Sequence, residues 1–191
     1  MLVFTSEFWG DPGAALVAVC VALFVAAVGG FEYRRRLKND AHAIAVTYRA
    51  AISVTKNSLE FARTEFSEMQ DGDLPPDAIY DFRKEDWFSV HNQLCGSMGK
   101  LLYANSEGGE RAIETVSEFY EQFKASREVF AYVLTLQHAV AVLKKEGADE
   151  AEIASVAARL TERSEQMVKL IESAEKKAGE ACKALDALTS N

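Results

Sequence analysis

Few residues in this chain have types and spacing that could do chemistry, and each of them fails a geometric test. Cys95-Gly96-Ser97-Met98-Gly99-Lys100-Leu101 offers a glycine-lysine pair like that of a phosphate-binding loop. That loop needs another glycine five residues before the pair and a Ser or Thr after the lysine, and Leu94 and Leu101 hold those places. The segment also has a helical pattern, not that of a strand, turn and helix. Glu and His three apart on facing helices would build a carboxylate metal site, but Asn39, Phe88 and Thr135 precede His42, His91 and His138 by three. No two histidines lie four apart, as a zinc-binding helix would require. His138 could accept phosphate if exposed, yet Leu136, Val140 and Val142 around it predict a half-buried histidine bonded to a neighbour. His42 is expected at the surface. No glycine-flanked serine elbow is present, and no catalytic, cofactor or metal residue is assigned.

Two patterns point to binding. Ala14, Ala18, Ala22, Ala26 and Gly30 recur every four residues, a small-residue stripe that lets a second helix approach closely or simply reflects the abundance of alanine in membrane helices. Around a proline-rich break, Ile79, Tyr80, Phe82, Trp87 and Phe88 are combined with Asp73, Asp77, Asp81, Glu85 and Asp86. Aromatic residues so placed either anchor a partner or fold back over the end of a helical bundle.

The apolar residues, 49% of the 191, are unevenly spread. Ala14 to Phe31 form an uncharged run of 18 residues, about 27 Å as a helix against a hydrocarbon layer of about 30 Å. Asp11 and Pro12 read as its cap and first residue. Residues 1–13 contain Glu7 and Asp11 but no Lys or Arg, whereas Arg34, Arg35, Arg36 and Lys38 follow the run. A cleaved export signal has the reverse order of charges. The expectation is an uncleaved transmembrane helix over 13–33 with a short tail outside (1–12), a basic collar (34–38) and a cytoplasmic domain (39–191), held in the plasma (inner) membrane. The collar serves as a topology signal and a modest contact for anionic lipid.

Four of the 21 basic and three of the 29 acidic residues precede Asn39, which leaves the remainder with a net charge of −9. Nucleic acid is therefore an unlikely ligand for the domain. Cys20, Cys95 and Cys182 have no paired spacing and suit a reducing compartment.

Periodicity supplies the elements that must position all of this. Ala41, Ile44, Tyr48, Ala51, Thr55, Leu59, Ala62, Phe66 and Met69 alternate steps of three and four, predicting a helix over 39–70 that can continue directly from the membrane run, with Gly29 and Gly30 as the one flexible joint. Pro75 and Pro76 end it. A second helix is predicted over about 80–104, carrying Trp87, Val90, Leu94, Met98 and Leu101 and weakened by Gly96 and Gly99. The third covers 108–145, with Ile113, Val116, Tyr120, Phe123, Phe130, Leu134 and Ala141 in seven-residue register and its stretch Val129–Leu143 apolar enough to predict burial on several sides. Asp149 and Glu152 cap a fourth over 149–189, whose seam runs through Ser164, Met167, Ile171, Ala174, Ala178, Ala181, Leu185 and Leu188.

The sequence thus predicts an all-α chain: one N-terminal transmembrane helix and an elongated up-down bundle of about four helices. The long seams and small-residue stripe favour a single-pass membrane adaptor or accessory subunit, acting through a protein partner or a homo-oligomer and without catalysis. Two alternatives stand beside it, an oligomerising membrane-acting effector and an enzyme whose pocket is assembled between helices.

Overall fold

The computed structural model describes residues 12–67 and 88–190, with side chains from 19–64 and 88–190. Among these residues every regular element is helical. Helix α1 spans Pro12–Ser67, α2 spans Ser89–Leu94 and passes directly into a 3-10 segment at Cys95–Tyr103, α3 spans Ser106–Glu146, and α4 spans Glu150–Thr189.

Four segments form the bundle. α4 packs along both α1 and α3, while the 3-10 segment occupies the opposite corner and also touches α1 and α3. Chain direction alternates. Tyr48 meets His91 and Asp40 meets Lys100, so α2 and the 3-10 segment run antiparallel to α1. Arg49 pairs with Asp186 and Arg63 with Glu175, so α4 is antiparallel to α1. Lys177 binds Glu118 at 2.7 Å across the α3–α4 pair. The result is an intramolecular up-down-up-down bundle.

The core follows the predicted seams. Ala41, Ile44, Tyr48, Thr55, Leu59 and Ala62 are buried on α1, joined by Ala45 and Ile52. On α4, Met167, Ile171, Ala174, Ala178, Ala181, Leu185 and Leu188 are buried in the expected register. Phe66 and Met69 lie outside the residues whose side chains are described, as does Trp87.

Three differences from expectation have physical causes. The second helix begins, among the described residues, only at Phe88 and tightens to 3-10 geometry at Cys95. Two glycines within five residues weaken the α-helix there, while Met98 and Leu101, three apart and therefore eclipsed in a 3-10 helix, are both buried. Second, no joint forms at Gly29 and Gly30: α1 is helical through both, and the apolar run continues into the bundle as one rod, as the sequence allows. Third, Val129–Leu143 is not buried on several sides. Only Phe130, Val133 and Leu136 are buried, Ala131, Tyr132 and Ala141 are exposed, and His138 is exposed where the sequence predicted half-burial. This part of α3 faces α4 near the outer end of their hairpin, so one stripe suffices for the contact. The guanidinium of Arg163 covers the Tyr132 ring at 5.6 Å.

The expected transmembrane helix over 13–33 is not supported by the fold. Among the described residues no helix is long and apolar enough to cross a membrane. The run starts at Ala14, before the first described side chain, and the 18 residues from Val19 include Glu32, Arg34, Arg35 and Arg36.

Helix ends are set by local chemistry. Asn105, in extended geometry, accepts at Oδ1 from Gly108 N–H at 3.2 Å and starts α3. Gly147 closes α3 with φ 70°, a left-handed conformation natural to glycine, and Ala148 N–H reaches back to Leu143 O at 3.1 Å. Asp149 Oδ1 accepts from Ala151 N–H at the start of α4.

At Gly109 the 3-10 segment and α3 approach so closely that a Cβ would sit 2.6 Å from the carbonyl oxygen of Leu101 and 2.8 Å from Cα of Leu102. Backbone cannot yield cheaply, so Gly109→Ala should lower stability by about 1–3 kcal/mol through overpacking. Gly179, inside α4 with nothing within 4 Å of its notional Cβ, predicts the opposite sign for alanine, a gain of about 0.5–1 kcal/mol. Urea unfolding of the two variants against the parent checks both.

Candidate functional site

The residues singled out by sequence are distributed over two places. Ala22, Ala26 and Gly30 lie on the solitary, exposed portion of α1, whereas the side chains of Ala14 and Ala18 fall outside the described residues. Arg34, Arg35, Arg36 and Lys38 are exposed one turn further along. Ile79, Tyr80, Phe82 and Trp87 also fall outside the described residues. Phe88 is half-buried against its own bundle, with its ring stacked 5.2 Å from Phe123 and the Arg127 guanidinium 5.4 Å above it.

Sequence reasoning passed over what lies beside Phe88. Tyr48 from α1, His91 from α2 and Tyr120 from α3 converge where three helices meet. The His91 ring stacks on Tyr120 with centroids 4.1 Å apart, and its Nδ1 lies 3.3 Å from the Tyr48 hydroxyl. Tyr48 and Tyr120 sit at core positions of their helices, and His91 is the third residue of α2. The one available signal was that Tyr48 and Tyr120 both occupied predicted core positions, where a phenol needs a hydrogen-bonding partner. His91 could not be paired with them before the 3-10 segment fixed the path of the second helix.

Burial governs the ionisation of this cluster. It pushes the Tyr120 hydroxyl up to about 12 and raises Tyr48 as well, to which Tyr120 and Cys95 add. It lowers His91 below the usual histidine range. At neutral pH the three groups are therefore uncharged, suited to donating and accepting hydrogen bonds. Tyr120 is 3% exposed and its hydroxyl has no partner among the described residues, an uncommon state for a buried polar group.

The cluster borders an open groove of about 1050 Å³ along α2 and α3, where Phe88, His91, Asn92 and Tyr120 form one wall and Glu121, Lys124, Arg127 and Glu128 the charged rim. The rim carries two cations and two anions, so it selects no strong charge. Among the described residues no cluster of His, Cys, Asp and Glu could hold a metal ion.

No protein-family model matches the chain, and no curated protein or solved structure proves similar to it. The functional reading consequently rests on the geometry alone.

Because His91 binds a proton less readily when folded than when unfolded, the unfolded chain takes up more protons as pH falls below about 6.5. Stability from this group is complete above that pH and declines toward the lower folded pKa. The melting midpoint of the parent should fall more between pH 7.5 and 5.5 than that of His91→Gln, as followed by circular dichroism.

Proposed function

We propose that this chain is a single-pass membrane-anchored helical adaptor or accessory subunit, with its N-terminus outside and its bundle on the cytoplasmic face of the plasma (inner) membrane. One observation carries the proposal. Before entering the bundle at Ala41, α1 projects alone, and Val19, Val21, Leu23, Phe24, Val25 and Phe31 are all exposed, Phe24 and Phe31 at 70% each.

Those side chains spread over about two thirds of the helix circumference, more than a single protein groove would cover. A helix apolar all round is at home inside a large core or in lipid. With Ala14–Ala18 added from the sequence, the run reaches the length of a crossing, and the four basic residues that follow it favour the inner side.

The adaptor part of the reading draws on the bundle. Its core is closed within one chain, and what it offers outward is acidic helix surface and the groove beside Phe88. The groove also lends some weight to an enzyme built from scattered polar residues. The evenly balanced rim offers no net charge to stabilise a reacting group, so binding leads.

Two experiments test the halves of the proposal. After alkaline carbonate washing, the full-length chain should remain in the membrane pellet, and a Val21→Lys, Val25→Lys variant should shift to the supernatant. Parent protein in the supernatant would refute the anchor. Crosslinking in native membranes should then capture a defined neighbour. A strict monomer in mild detergent, joined to no neighbour in the membrane, would refute the adaptor.

A further inference from the structure

The bundle end nearest the apolar part of α1 bears a second apolar feature. Leu102 and Tyr103, the last two residues of the 3-10 segment, are 39% and 53% exposed, although Leu101 beside them is fully buried. Their position relative to α1 is fixed. The segment descends along α1 from the Tyr48–His91 contact to the ion pair of Asp40 and Lys100 at 2.9 Å. It continues three residues further in the same direction, and the chain then turns at Ala104 and Asn105 to climb away in α3. The close packing of Gly109 on Leu101 and Leu102 holds that turn against the bundle.

The heights follow from helix geometry. Asp40 lies nine residues beyond Phe31, about 14 Å along the axis. The three 3-10 residues from Lys100 to Tyr103 return about 6 Å of that. Tyr103 thus stands about 8 Å past the end of the apolar run, at the inner limit of a headgroup layer about 5–8 Å thick. An ordinary tilt of about 20° toward the 3-10 segment brings it closer still.

We propose that Leu102 and Tyr103 are an interfacial contact, by which the end of the bundle sits in the headgroup region of an anionic bilayer. The inference rests on the anchor reading and adds a second point of attachment to it. Tyrosine suits this depth because its ring is apolar and its hydroxyl is wet. The charges around it agree: Arg34, Arg35, Arg36 and Lys38 are exposed at the same level, and the nearby Asp40 carboxylate is engaged by Lys100. Glu107, exposed at the first turn of α3, and Glu32, exposed directly after Phe31, are opposing acidic groups. Two contacts would fix the direction in which α1 and the bundle tilt on the membrane, which a single helix leaves open.

The test uses the full-length chain in vesicles of phosphatidylcholine and phosphatidylglycerol. A nitroxide is placed by Tyr103→Cys, Phe24→Cys or Glu128→Cys, each in a background with Cys20→Ala, Cys95→Ser and Cys182→Ala. Relative accessibility to oxygen and to a nickel chelate reports depth. The oxygen-to-nickel ratio at 103 should exceed that at 128 by several-fold and lie below that at 24. A label at 24 in lipid with 103 indistinguishable from 128 would overturn the interfacial contact and leave the anchor standing. A water-exposed label at 24 would overturn both.

Discussion

The bundle depends on the close approach that the small residues of α4 allow. Ala174, Ala178, Ala181 and Ala184 lie buried at steps of three and four, and α4 is the helix that packs along both α1 and α3. Large side chains from the neighbours can then fill the space between: Tyr48, Ile52 and Leu59 from α1, Phe119 and Phe123 from α3. Alternating small and large residues across facing helices is how an interior reaches crystal-like density without strain. The ion pairs flanking these seams, such as Arg49 with Asp186 and Lys177 with Glu118, are partly exposed and set register more than stability.

That constraint was readable in the sequence because it is periodic. The α4 seam from Met167 to Leu188 is recovered position by position, since a 3.6-residue period survives any detail of tertiary packing. Gly147 and Asp149 were equally legible, their effects being local. The 3-10 segment was not, for Gly96 and Gly99 signal weakness without saying which alternative geometry replaces the α-helix. Burial along Val129–Leu143 was overestimated because composition records how apolar a helix is and not how many neighbours surround it. The Tyr48–His91–Tyr120 cluster depends on contacts between residues up to 72 positions apart. Only the assembled helices bring them together.

α1 joins the bundle to a solitary apolar segment. Its amphipathic half is sealed into the bundle from Ala41 onward, while its apolar half emerges uncovered, and the helix is continuous between them. With the anchor proposed above, a partner held by the bundle would be held at a defined height and direction relative to the membrane, a property a flexible tether does not confer. Among the described residues, the groove beside Phe88 and the cluster at its wall are what the bundle presents outward for recognition.

The continuity of α1 is the claim on which this account turns. Nitroxides at Val28 and Val54, both exposed and 26 residues apart in a cysteine-free background, should give, by dipolar spectroscopy on the reconstituted chain, one narrow distance distribution near about 39 Å, the rise of an unbroken helix. A broad distribution, or one centred well below that length, would mean that α1 bends or frays at the collar and would contradict it.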